Sequence, residues 1–122
     1  MKLSLVIDDS EIIRKYARLI LESLDYRTLE AESMAAALER LRDSSPHIIF
    51  VDWKIPGVDC HELISRIRRL DLSQRPYIVY MSTENDTEDI NHALRAGADD
   101  YILKPFNRDI LGMKLQEIKI AA

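Results

Sequence analysis

A chain of 122 residues, 47% apolar and 31% charged, has the size and make-up of one soluble globular domain around a single core, and residues 1–122 are expected to form that domain. The formal charge of −4 gives no basic surplus, which excludes nucleic acid as the expected partner of this domain. One cysteine, Cys60, excludes an internal disulfide; the short apolar run Leu3–Ile7 excludes a signal-peptide core, and no stretch approaches the roughly twenty apolar residues of a membrane span. A cytoplasmic location is expected.

Along the chain, Leu3 to Ile7 is a short apolar run that stops at Asp8-Asp9. From Ser10 to Leu24 the residues Ile13, Tyr16, Ala17, Ile20 and Leu24 recur at helical spacing. Tyr26 to Ala31 reads as a second strand, and Ser33 caps a helix running to about Asp43 with Ala37, Leu38 and Leu41 turned inward. His47 to Val51, after Pro46, is a third strand apolar on both faces. Asp59 and Glu62 have the spacing of a capping box before a helix carrying Leu63, Ile64, Ile67 and Leu70. Pro76 to Met81 is a fourth strand; Asn85 and Glu88 repeat the cap spacing ahead of Ile90, Ala93 and Leu94, with Gly97 placed to end that helix. Asp99 to Leu103 is a fifth strand, and Asn107 caps a last helix in which Leu111, Leu115 and Ile118 share a face. Strands alternating with helices imply right-handed crossovers and a parallel sheet covered on both sides, an α/β doubly wound unit.

Each apolar run is followed directly by polar residues: Asp8-Asp9, Asp52, Ser82-Thr83 and Lys104-Pro105. In a parallel sheet these endings fall on one edge, where doubly wound folds bind ligands. Three close carboxylates repel unless a cation sits among them, and oxygen donors without His or Cys favour a hard ion, Mg²⁺ or Mn²⁺. A lysine and a hydroxyl opposite suit an incoming dianion. The set matches Mg²⁺-assisted phosphoryl chemistry at an aspartate.

In order and spacing these residues resemble the response-regulator receiver family from about Leu3 to Ile118, with Pro56-Gly57 and Ala96-Gly97-Ala98-Asp99 adding to the likeness. The resemblance implies a flavodoxin-like (βα)5 fold with strand order 2-1-3-4-5. It implies that Asp52 is the phosphoacceptor, taking its group from a phosphohistidine of a sensor histidine kinase or phosphotransfer protein. Asp9, Asp52 and the main-chain carbonyl of Lys54 would ligate Mg²⁺, with Asp8 acting through a bound water. Lys104 and Ser82 would contact the phosphoryl oxygens, and the bond before Pro105 would be cis. Ser82 and Tyr101 would pass the event to the surface of the fourth helix, fifth strand and fifth helix, for an output domain or a homodimer. The resemblance implies a switch with slow self-dephosphorylation and no independent substrate turnover.

Thr83 competes with Ser82 for the hydroxyl role, which spacing gives to Ser82. Lys54 and Glu84 occupy places that influence phosphoryl lifetime in the family, and as an opposite pair they are expected to meet over Asp52 and hinder attacking water. His47, His61 and His92 lie on unlike segments and predict no metal cluster; Arg66, Arg68 and Arg69 read as a solvated helix face, and Cys60 as inert. An aspartate-nucleophile phosphohydrolase is disfavoured because Lys54 stands where its second carboxylate belongs. A flavin- or nucleotide-binding domain is disfavoured because no glycine follows the first strand. A degenerate receiver serving only for docking or dimerisation is the remaining alternative.

Overall fold

The computed structural model describes residues 2–83 and 85–121, with side chains through residue 118. The apolar runs become β1 (Lys2–Ile7), β2 (Tyr26–Ala31), β3 (Ile48–Asp52), β4 (Tyr77–Ser82) and β5 (Asp100–Leu103). Between them lie α1 (Glu11–Ser23), α2 (Met34–Asp43), α3 (Cys60–Arg68) and α4 (Thr87–Ala96), and α5 (Arg108–Ala121) closes the chain. The strands are all parallel in the order β2-β1-β3-β4-β5, as expected. β3 is buried at every position, because a central parallel strand is covered on both faces.

The period of two along each strand divides the core. Leu5, Ile7, Ile49, Val51, Ile78 and Tyr80 face one way, against Ala37 and Leu41 of α2, Leu63, Ile64 and Ile67 of α3, and Ala93 of α4. Val6, Ile48, Phe50, Val79, Met81 and Ile102 face the other, against Ala17, Ile20 and Leu21 of α1 and Leu111, Leu115 and Ile118 of α5. The inward set predicted for the helices is too wide. Tyr16, Leu70 and Leu94 are exposed, and Ile13, Leu24 and Leu38 are half-buried. Leu70 falls outside because α3 ends at Arg68 with Arg69 as its cap.

Helix starts follow the side chains that can accept from free N–H groups. Ser10, Ser33, Asp59 and Asn107 accept from Ile13, Ala36, His61 with Glu62, and Ile110 respectively. For α4 the cap is Asp86 rather than Asn85: its carboxylate takes the N–H groups of Glu88 and Asp89, and an anion there also meets the positive end of the helix. Gly97 ends α4 with φ +131°, and a Cβ in its place would lie 2.7 Å from Arg68 Cγ.

Arg68 departs from the expected solvated face. Its guanidinium donates to the carbonyls of Gly97 and Pro76 and to Asp99 Oδ2, at 2.8, 2.7 and 2.6 Å. Asp99 also accepts from the Ile78 N–H, so the cluster joins the C-terminal end of α3 to the starts of β4 and β5. No helix among the described residues is long and apolar enough to cross a membrane.

Candidate functional site

Strand order reverses between β1 and β3. The chain leaves β1 outward to β2 and returns on β1's other side as β3. The helices that follow these strands cover opposite faces, which opens a crevice at the carboxyl ends. Asp8-Asp9 follows β1, Asp52 is the last residue of β3, Ser82 is the last of β4, and Lys104 follows β5. Asp52 pairs in register with Met81 and Ser82 with Leu103, so the endings are level across the sheet.

At this edge Lys104 Nζ lies 2.7 Å from Asp8 Oδ2 and 2.7 Å from Asp52 Oδ1. Asp8 and Asp52 are buried, Asp9 is exposed, and one carboxylate oxygen from each of the three falls within 4.8 Å of the others. Asp8 Oδ1 accepts from the Ser10 N–H at 2.9 Å, which orients its other oxygen toward the ammonium. The loops are tied to β4: Trp53 N–H donates to the Met81 carbonyl at 2.8 Å, and Lys104 N–H to that of Ser82 at 2.7 Å.

Burial raises the Asp52 carboxyl above its ordinary range; Lys104 pulls the other way, and repulsion from Asp8 and Asp9 adds to the rise. For Lys104, burial lowers the pKa, but the hydrogen bonds to Asp52 and Asp8 outweigh it and hold the ammonium charged. One cation thus faces three carboxylates. Such an oxygen-only set, still short of positive charge, fits a hard divalent ion, and it is the only group of three potential ligands among the described residues.

The other expected residues fall as follows. Ser82 is buried at the site while Thr83 is exposed, which favours Ser82. The Lys104-Pro105 bond is cis. Tyr101, half-buried on β5, lies beside Tyr80 in register and has Lys114 Nζ 5.8 Å from its ring centre. Lys54 is exposed in the β3–α3 loop with Nζ 5.9 Å from the Trp53 ring; Glu84 lies outside the described residues. Cys60 is buried, and burial pushes its thiol up to about 11, as an inert cysteine requires.

Two histidines expected to be scattered are brought together. The rings of His61 on α3 and His92 on α4 lie 3.9 Å apart, and His61 Nε2 is 3.2 Å from Asp89 Oδ1. Asp89 in turn accepts from the Tyr80 hydroxyl at 3.0 Å. Spacing along the chain carries no sign of this contact, since it depends on how two helices pack.

Comparison with known proteins agrees with the geometry. A family model of the response regulator receiver domain matches residues 4–116. The phosphate regulon transcriptional regulatory protein PhoB of Pseudomonas aeruginosa is 33% identical over 96% of this chain and 51% of its own length. Chemotaxis protein CheY1 of Helicobacter pylori is 32% identical over 97% and 96%. The structure of the chemotaxis response regulator CheY4 of Vibrio cholerae superposes with a TM-score of 0.89 at 25% identity, covering 97% of this chain and 98% of that one. The chain spans about half the length of PhoB and of Transcriptional regulatory protein AfsQ1 of Streptomyces coelicolor. With the family match over most of its length and the acidic edge in place, the chain belongs to the response regulator receiver domain family of two-component signalling.

Proposed function

We propose that Asp52 accepts a phosphoryl group from a phosphohistidine of a sensor histidine kinase or phosphotransfer protein. The observation that carries this reading is the Lys104 ammonium bridging Asp8 and Asp52 beside a third carboxylate, Asp9. Asp9, Asp52 and the Lys54 carbonyl would hold Mg²⁺, with Asp8 linked through water. In that seat the ion would supply Lewis-acid polarisation of the phosphoryl oxygens and relieve the repulsion among the carboxylates. An Asp52 carboxylate oxygen attacks phosphorus, the P–N bond to the donor breaks, and the leaving imidazole takes a proton. Lys104 exchanges its carboxylate contacts for a phosphoryl oxygen, and Ser82 donates to another. Ser82 and Tyr101 then bias the face formed by α4, β5 and α5 toward an output domain or a second copy. Lys54 and Glu84 set the lifetime of the phosphoryl group. The chain turns over no substrate of its own beyond slow self-dephosphorylation, and its place is the cytoplasm.

Trp53 adjoins Asp52 and reports on the site. Beryllofluoride with Mg²⁺ is expected to change its fluorescence saturably in the wild type and not in Asp52→Ala. A flat wild-type titration would instead favour a docking module that takes no phosphoryl group.

The donor surface follows from α1. Ile12 and Leu19 are 80% and 71% exposed, Tyr16 lies between them on the same face, and the helix opens just past Asp9. This apolar stripe beside the acceptor suits a partner helix. Leu19→Asp is expected to slow transfer from a phosphohistidine protein by about tenfold, the scale of one lost apolar contact, and to leave phosphorylation by phosphoramidate unchanged. Equal slowing with both donors would show damage to the site rather than loss of docking.

A further inference from the structure

Asp8 is held by more than its carboxylate. Its N–H donates to the carbonyl of Ala31 at the end of β2, at 3.0 Å. Its carbonyl accepts from Arg14 Nη1 at 2.9 Å. Arg14 sits in the first turn of α1 and points back over the cap, where its Nε donates to Glu30 Oε1 at 3.0 Å. Both Arg14 and Glu30 have side chains only 11% exposed. Glu30 also accepts from Lys15 Nζ at 2.8 Å and from Arg18 Nη1 at 3.1 Å. Both main-chain groups of Asp8 are therefore anchored to the end of β2, one directly and one through Arg14.

The carbonyl that Arg14 holds belongs to the same planar unit as the N–H of Asp9. Fixing its direction fixes the plane from which the exposed Asp9 side chain departs. Lys15 and Arg18 reach Glu30 alone; among the described residues only Arg14 joins Glu30 to the acidic loop. A guanidinium suits this task because its rigid fork serves two acceptors in one plane, which a lysine ammonium does not reproduce.

We propose that Arg14, oriented by Glu30, is a positioning residue for the cation and phosphoryl site: it sets the Asp8–Asp9 peptide so that Asp9 meets Asp8 and Asp52 around one ion. The inference rests on the Mg²⁺ seat proposed above. The alternative is that the Glu30 cluster only clamps α1 to β2, in which case Arg14 matters for stability and not for the ion.

The full chain is compared with Arg14→Met, Arg14→Lys and Lys15→Met. Mg²⁺ affinity is read from Trp53 fluorescence, and thermal stability is measured in EDTA. Exchange of the Asp8 amide proton, which the Ala31 carbonyl holds, is followed by NMR without metal. Arg14→Met is expected to weaken Mg²⁺ binding by about tenfold, the usual scale for removing a group that orients a ligand, and to speed Asp8 exchange. Arg14→Lys keeps the charge yet stays weak, while Lys15→Met, which removes the same charge from Glu30, binds as the wild type does. Wild-type Mg²⁺ affinity in Arg14→Met overturns the proposal, whatever its melting temperature. Equal weakening in Arg14→Met and Lys15→Met also overturns it, because charge alone would then explain the loss. If Arg14→Met does not fold, Arg14→Lys decides in the same way. A wild type that ignores Mg²⁺ would defeat the receiver mechanism, and unchanged Asp8 exchange in metal-free Arg14→Met would separately defeat the brace.

Discussion

Asp52→Asn is expected to lower phosphoryl incorporation from phosphoramidate by about a hundredfold or more, since the nucleophile is gone, and to raise the melting temperature of the metal-free protein. The second effect follows from the raised pKa of Asp52, caused first by burial and then by the facing carboxylates. A carboxyl whose pKa is higher in the folded than in the unfolded chain costs stability when ionised. That cost is absent below the unfolded value of roughly 3.9, grows as pH rises through the folded value, and is constant above it. Asparagine keeps the shape without the charge, and Lys104 retains Asp8. The advantage of the variant should therefore be missing at acid pH, open through the weakly acidic range and persist at neutral pH. Melting curves in EDTA across that range check it, and a variant that melts at or below the wild type at neutral pH would contradict it. Mg²⁺ should narrow or reverse the gap, because the ion binds the wild-type fold more tightly and stabilises it by linkage.

The parts of this molecule that were legible in the sequence are those written in local pattern. Asp8-Asp9, Asp52, Ser82 and Lys104 each stand directly after an apolar run, so a parallel sheet alone brings them to one edge. Ser10, Ser33, Asp59 and Asn107 announce their helices through short-range capping chemistry. What stayed hidden depends on contacts between distant residues. Arg68 is one of three arginines at the end of α3, and periodicity does not reveal that its stem lies over Gly97 with its head at Asp99. His61 and His92 meet because α3 and α4 pack side by side. Arg14 looks like one more cation on an exposed helix, and its hold on the Asp8 carbonyl requires the cap, the loop and β2 together. Asn85 has the spacing of a cap, but the helix begins one residue later, where the Asp86 carboxylate takes the Glu88 and Asp89 N–H groups.

Lys104→Met tests the charge balance of the acidic edge most directly. Methionine preserves most of the unbranched stem and removes the ammonium. Without metal, Asp8 and Asp52 then lie buried at the edge with their shared cation gone. Breaking a buried ion pair from one side costs about 3 kcal/mol, and urea unfolding in EDTA should show a loss of this size at neutral pH. The loss should shrink as pH falls, because Asp52, whose carboxyl burial already raises, takes up a proton and sheds the charge that destabilises it. Mg²⁺ should act in the opposite sense. The wild-type ammonium occupies the same carboxylates that an ion needs and repels it, so the variant should bind Mg²⁺ more tightly than the wild type. At a concentration about a hundred times its Kd the ion returns about 2.7 kcal/mol, nearly the whole deficit. Two measurements on one variant thus move apart: stability falls in EDTA while Mg²⁺ affinity rises. A variant as stable as the wild type without metal, and no tighter toward Mg²⁺, would mean that Lys104 does not neutralise this edge, and the electrostatic basis for phosphoryl capture at Asp52 would fall with it.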